Sequence, residues 1–333
     1  MRRDDFVDYL TSYAKSFDAP VLEGVEVDSI QTGQVRRFVL KTSAGIMSAQ
    51  EVVLASGGYQ KPHLPSGVAQ MRDSVYVIDV DHYTNPSNLP RGKVLVLGSG
   101  QSGCQVAEDL VMAGREVCLA CGRAPWLPRR LGGRDIIAWL VETSFVETTL
   151  ADLPNPEARL IANPQFSGRD GGHDLNYRTL QGSGVRLLGH FSGSKNGRAQ
   201  FASDLTQSVA FGDSRYHDAC DLIMKACASR SVKSPEMPTP PSFSPENLPD
   251  HIELNELGAV VVTSGFRPDY GSFVKLPSAF DSQGFPLQQD GSSTVVPGLH
   301  FMGVHFQRKR LSATLFGVGE DAKVLAENLV GHN

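Results

Sequence analysis

The chain has 333 residues, 41% of them hydrophobic and 20% charged, with a formal net charge of -5. That is the make-up of an ordinary globular protein long enough for two domains, with no overall electrostatic footprint for nucleic acid and no apolar run long enough for a membrane span. The expected setting is therefore the cytoplasm and a small-molecule substrate, and five irregularly spaced cysteines do not make a disulfide framework.

In chain order the first predicted element is a helix capped by Asp4 or Asp5, in which Phe6, Leu10, Tyr13 and Phe17 recur as a core-facing stripe. Alternating segments around Val25 to Ile30, Val35 to Leu40 and Gly45 to Met47 predict an antiparallel meander. An apolar strand then enters the small-residue turn Ser56, Gly57, Gly58 and a Pro-punctuated loop through Pro65.

Residues 92–123, GKVLVLGSGQSGCQVAEDLVMAGREVCLACGR, carry the most specific signal. Lys93 to Leu97 predicts a buried parallel strand, and Gly98 makes the tight turn of a GxGxxG. Gly100 lets the backbone approach a diphosphate, Gly103 lets the next helix pack on the sheet, and Ser99, Gln101 and Ser102 complete the loop. Val106, Ala107, Leu110 and Val111 share one helix face, Gly114 supplies a left-handed stop, and a second strand runs from Glu116 to Cys121. A diphosphate then lies on the free N–H groups at the helix start. A free ribose 2'-hydroxyl calls for an acid about 20 residues into such a motif. The strand ends instead in Cys121-Gly122-Arg123, with Arg129 and Arg130 close behind. Guanidinium groups suit a 2'-phosphate, so NADPH is favoured over NADH, the alternative being a solvated arginine cluster.

Cys118 and Cys121 form a CxxC along that second strand, where positions three apart point to opposite faces. They read as packing residues, with a dithiol centre as the alternative. No second pair completes a zinc site, no metal is expected, and His173 and His305 read as structural.

Further on, Gly182 and Gly184 read as a hairpin turn before the strand-like 185–189, and Leu205 to Ala226 as a helix. The Pro-rich stretch 234–249 reads as a connector. AVVVTSGFRPDY, residues 259–270, echoes the earlier strand and turn through Ser264 and Gly265. The echo is expected if the chain leaves one domain, builds a second and returns. The expected division is 1–89 with 246–333, an inserted dinucleotide domain at 90–233, and the connector. PGLHFMGVHF adds a strand, Arg308, Lys309 and Arg310 make a local basic patch suited to an anionic ligand, and Gly319, Glu320 and Asp321 open a final helix that turns Ala322, Leu325, Ala326 and Leu329 inward.

Together GSGQSGCQVAEDL, EVVLASGGYQKPHLP, VVVTSGFRPDY and GLHFMGVHF...GVGEDAKVLAENL resemble the flavin-containing monooxygenase-like flavoproteins, the bacterial potassium-transport flavoprotein group among them, over nearly the whole chain. The resemblance implies an α/β fold of two doubly wound, Rossmann-like domains, one for NADPH inserted in one for FAD. It implies hydride transfer from NADPH to FAD, often followed by oxygen activation. It sets Gly98, Gly100 and Gly103 at the NADPH diphosphate and Arg123 at the 2'-phosphate. The strand ends Ser56-Gly57 and Ser264-Gly265 would line the junction with the flavin, and Gly303 with Gly319 to Asp321 would face the flavin ring or ribityl chain. Relatives begin with their own strand, GxGxxG and helix for the FAD diphosphate, which these residues lack, so the expectation is a misassigned start or a truncated gene. Asp79 stands where monooxygenases usually carry the His of a His-Ser pair. Two other readings stay open: a non-catalytic NADPH-binding remnant, and a flavin-linked disulfide reductase working through Cys118 and Cys121. No residue stands out as catalytic acid, base or nucleophile, because the chemistry would belong to the flavin.

Overall fold

A computed structural model describes residues 3–245 and 249–331 of the chain. Helix α1 (Arg3–Ser16) leads into the expected meander of β1 (Val27–Thr32), β2 (Phe38–Thr42) and β3 (Gly45–Ala49), paired antiparallel in that order. Strand β4 (Val52–Leu54) starts an outer sheet, from which the chain crosses by β5 (Lys61–Pro62) to an inner unit. That unit contains β6 (Tyr76–Asp79), β7 (Lys93–Leu97), α2 (Gln101–Met112), β8 (Val117–Ala120), α3 (Tyr177–Gly182) and β9 (Arg186–Leu188). It continues with β10 (Phe191–Lys195), β11 (Arg198–Phe201), α4 (Leu205–Ser229), β12 (His251–Glu253) and β13 (Leu257–Val262). The chain returns by β14 (Phe266–Arg267), adds β15 (Gln288–Gln289), β16 (Ser292–Ser293) and β17 (Leu299–Phe301), and ends in α5 (Val318–Gly331).

The inner sheet has five parallel strands in the order β9-β8-β7-β13-β6. A parallel sheet is covered on both faces, which is why β7 reads as a continuous apolar run. Its alternation sends Val94 and Val96 toward a helical layer with Val106, Ala107 and Leu110 of α2, Leu180 of α3 and Val209 of α4. Leu95 and Leu97 point the other way, onto Ala199 and Phe201 of β11 and Ile252 of β12. Each such side chain contributes about 1.5–3 kcal/mol on burial, so both layers are needed to hold the strand ends that form the site. Helix α2 stops where expected: Gly114 adopts φ +76° and the Arg115 N–H reaches back to the Leu110 carbonyl at 3.0 Å. The Arg115 guanidinium then bonds the carbonyls of Pro86, Pro90 and Gly92, tying the helix end to the loop that enters β7.

The outer sheet runs β15-β16-β17-β4, with β17 and β4 parallel. Phe38, Leu54, Tyr270, Phe285, Leu299 and Phe301 fill the core beneath it.

Some expectations change. Strands β6 and β13 belong to the inner sheet, although the sequence reading assigns 1–89 and 246–333 to the outer domain. Long-range pairing decides this, since Val260 of β13 is in register with Leu95 of β7 and Val77 of β6. The two chain crossings, β5 and β14, pair antiparallel with each other. Helix α1 forms, but its stripe is not core-facing: Leu10, Tyr13 and Phe17 are exposed, and the rings of Phe6, Tyr9, Tyr13 and Phe17 stack along the helix on one another. Nothing among the described residues buries that face. Gly182 and Gly184 make a helix-to-strand joint and not a hairpin, because Gly182 ends α3 and Gly184, at φ +97°, turns the chain into β9 alongside β8.

Helix α5 keeps Leu325 buried and Leu329 half-buried as expected, but Ala322 and Ala326 are exposed, and Asp321 is buried instead, with the Arg308 guanidinium 3.4 Å from its carboxylate. The Pro-rich stretch has no regular structure, yet it is packed down. The Pro238 carbonyl accepts from Tyr216 and the Pro241 carbonyl from Arg178. Residues 246–248 of the predicted connector lie outside the described residues. Among the described residues no helix is long and apolar enough to cross a membrane.

Candidate dinucleotide site

The GxGxxG loop joins the end of β7 to the start of α2, and each glycine answers a specific steric demand. Gly98 adopts φ +105°, and a Cβ there would lie 2.8 Å from the Thr263 carbonyl oxygen. A Cβ on Gly103 would fall 2.0 Å from the Gly98 carbonyl oxygen, so only glycine lets the helix seat on its own turn. Gly100 is the helix N-cap, and Ala162 stands 3.3 Å from where its Cβ would be. The amides of Gln101, Ser102 and Gly103 have no acceptor within the helix and present an anion cradle at its positive end. The Gln101 side chain donates to the Phe166 carbonyl at 3.5 Å. Ser102 and Gln105 line a cleft of about 350 Å³ whose facing wall is Val80, Tyr83 and residues 167–169.

The three candidate arginines are not equivalent. Arg129 ion-pairs with Asp135 at 2.5 Å and lies over the Phe166 ring, and Arg130 donates to the carbonyls of Gly171 and Gly172. Both are used within the chain. Arg123, three residues beyond the end of β8, is exposed and has no hydrogen-bond or ion-pair partner among the described residues. The Ser99 hydroxyl is likewise spent internally: it is buried against Tyr177 and the Gly122 N–H and does not face the cradle. Tyr177 and Gln165, which the sequence reading passed over, turn out to anchor this loop. The available signal was Asn176, whose side chain caps α3 on the amides of Arg178 and Thr179.

A second group of residues converges where the two units meet. Thr263 donates to the carbonyls of Leu97 and Gly98, and Ser264 to that of Leu97, which sets Ser264 and Gly265 against the fingerprint turn. The His63 N–H bonds the Gly265 carbonyl at 2.8 Å, linking this turn to the segment that follows Ser56 and Gly57. Gln60 holds that first turn, donating to Ser56 Oγ and the Gly57 carbonyl. Gly57 and Gly303 both take left-handed φ, and a Cβ on Gly303 would come within 4.0 Å of the Gly57 Cα. Beside them the His305 ring lies against Gly58 and edge-on to Tyr59, and burial lowers its affinity for a proton. Gly319 has open space around its Cβ position, whereas Asp321 is fully buried with its Oδ2 atom unpartnered.

A sequence model described as pyridine nucleotide-disulphide oxidoreductase matches residues 1–141. An uncharacterized CzcO-like oxidoreductase of Geobacillus kaustophilus is 28% identical over 331 residues, 99% of this chain and 78% of the relative. An uncharacterized oxidoreductase CzcO of Bacillus subtilis is 24% identical, covering 99% and 79%. Among solved structures, a mutant of a flavin monooxygenase from Stenotrophomonas maltophilia superposes with TM-score 0.61 at 16% identity, covering 98% of this chain and 76% of that one. The chain is thus similar to nucleotide-linked oxidoreductases in sequence, and to a flavin monooxygenase in fold. The same fold accommodates the bacillithiol disulfide reductase of Bacillus cereus, with TM-score 0.55 at 14% identity, covering 100% and 79%.

In this fold the CxxC has the geometry of packing residues. Cys118 lies in the core against the antiparallel layer, Cys121 in the core against the helices, and both thiols are buried and free. Burial pushes the Cys118 thiol up to about 11 and the Cys121 thiol well above its ordinary range. Neither is a thiolate nucleophile near neutral pH.

Proposed function

We propose that the chain is an NADPH-using, FAD-linked oxidoreductase of monooxygenase-like chemistry. The observation that carries this is Arg123, an unpartnered guanidinium at the end of the second strand, beside a Gly-lined helix N-terminus and with no competing acid. The residues fit the group: Gly98 and Gly103 could bear no side chain, and the first amides of α2 are open. NADPH would supply a hydride and FAD would accept it and pass the electrons on. Gly98, Gly100 and Gly103 with the Gln101 to Gly103 amides would hold the diphosphate, and Arg123 the 2'-phosphate. Gly57, Gly303, Ser264 and Gly265 would line the space where nicotinamide and flavin meet. Tyr59 and His305 would exclude water from that space. A dithiol mechanism through Cys118 and Cys121 is disfavoured, since the two thiols face opposite layers of the sheet.

The test is anaerobic. With FAD added in excess, NADPH should bleach the flavin absorbance in the presence of the chain faster than NADH does, and faster than without protein. Bleaching no faster than for free FAD would overturn hydride transfer in this chain and favour a binding protein without catalysis.

A further inference from the structure

We propose that Tyr177 is a positioning residue for cofactor choice, tying the fingerprint loop to the strand end that carries Arg123. The inference rests on the NADPH reading above. Tyr177 Oη donates to the Gly122 carbonyl at 2.6 Å, and the Gly122 N–H donates to Ser99 Oγ at 2.8 Å. Each hydroxyl owns one proton, so the remaining 2.5 Å contact is the Ser99 hydroxyl donating to Tyr177 Oη, and the ring closes with every direction fixed. The Ser99 carbonyl is held in turn by Gln165 Nε2 at 2.5 Å and the Cys104 thiol at 3.4 Å.

Ser99 is 3% exposed, Tyr177 4% and Gln165 1%. In such a dry setting hydrogen bonds polarise one another, and a broken one leaves its partner unsatisfied at full desolvation cost. Burial also keeps the phenol protonated, so it remains a donor across the working pH range.

The ring joins two points that a 2'-phosphorylated dinucleotide must span. Ser99 directly precedes Gly100 at the diphosphate cradle, and Gly122 directly precedes Arg123. Gly122 has nothing within 4 Å of its Cβ position, so packing leaves it the backbone freedom of glycine. The hydrogen bonds that Gly122 accepts from Tyr177 and donates to Ser99 supply the constraint that packing omits. Tyr177 is itself fixed at the first position of α3, with Asn176 as its cap. Loosening the ring should cost the 2'-phosphate contact more than the diphosphate contacts, because the cradle amides belong to α2 and stay in place.

The experiment measures dissociation constants for NADPH and NADH by calorimetry in the 333-residue chain and in Tyr177→Phe, Ser99→Ala, the double variant, Arg123→Ala and Val209→Ala. Tyr177→Phe should reduce the NADPH-to-NADH preference roughly three- to tenfold, the range expected for one hydrogen bond in a buried network. Ser99→Ala should do much the same, and the double variant little more than either, since both break one ring. Val209→Ala, in the same core but outside the ring, should lower the melting temperature and leave the preference unchanged. A preference unaltered in Tyr177→Phe and Ser99→Ala while Arg123→Ala abolishes it overturns the positioning role alone. A preference unaltered in Arg123→Ala overturns the NADPH reading beneath it. Should Tyr177→Phe fail to fold, Ser99→Ala decides by the same criterion. Equal losses for both cofactors in the ring variants also contradict the proposal, because they mark a general loss of structure.

Discussion

Arg123, Gly103 and the two strand cysteines show how little of a residue's role its type alone determines. Three arginines follow β8 within a few positions, and two of them are consumed by Asp135 and by the carbonyls of Gly171 and Gly172. Only the folded positions of those acceptors separate them from Arg123, and the Gly171 and Gly172 carbonyls come from a segment 41 to 42 residues away from Arg130. The glycines were legible because their constraints are local. Gly103→Ala would place a methyl 2.0 Å from the Gly98 oxygen, and neither backbone can give way without moving the helix. Such overpacking should cost about 1–3 kcal/mol, read from urea unfolding, and should abolish NADPH binding. Gly114→Ala meets nothing within 4 Å but must hold φ +76°, so it should cost about 1 kcal/mol and leave NADPH affinity intact.

The cysteines yield a prediction with a definite sign in pH. Cys118 titrates near 11 in the fold against 9.0 for an ordinary thiol, so the folded state holds its proton longer than the unfolded state. Its contribution to stability is therefore complete below about pH 9 and declines as pH rises from there toward 11. Alkylation of the native protein at pH 8 should be slow, and should approach the rate of a free thiol only on unfolding. Rapid labelling of Cys118 or Cys121 in the native state would contradict the packing assignment.

At the scale of elements, β7, α2 and β8 were readable because strand, turn, helix and cap all lie within residues 92–123, and the periodicity and the glycines agree. Strand β13 was legible as a strand but not as a member of the inner sheet, because membership depends on its pairing with β7 from more than 160 residues away. Helix α3 lay hidden between loops, with Asn176 as its one local sign. The α1 periodicity gave the correct element and the wrong surroundings, since an amphipathic stripe does not say what covers it. With Tyr9, Tyr13 and Phe17 exposed, Tyr13→Lys should change unfolding free energy by less than about 0.5 kcal/mol. A loss of several times that size would show that the aromatic face is buried within this chain.

At the scale of the whole molecule, the inner unit is gripped by the outer one at two arginines. Arg159, 7% exposed at its side chain, stacks on Phe285 with its guanidinium carbon 3.4 Å from the ring centroid and pairs with Asp281 at 2.9 Å. Arg310 packs between Phe145 and Phe306 and donates to the Phe145 carbonyl. Arg159→Ala should cost about 1–3 kcal/mol in denaturant unfolding, as a stacked, charge-assisted contact is lost and Asp281 is left partly unpaired. On the flavin side the described residues supply Gly57 and Gly303, and their one GxGxxG turn opening a helix is the one at Gly98 to Gly103. The 333-residue chain should therefore retain FAD weakly and below one equivalent after gel filtration, as read from its visible absorbance. Tight stoichiometric FAD would mean that other groups hold the diphosphate.

The central claim is that Arg123 selects the 2'-phosphate at the open start of α2, and calorimetric titration of Arg123→Ala tests it most directly. The account predicts that NADPH weakens roughly ten- to hundredfold, as for loss of hydrogen bonds to a charged group, while NADH affinity is nearly unchanged. Equal weakening of both cofactors, or none of either, would contradict it.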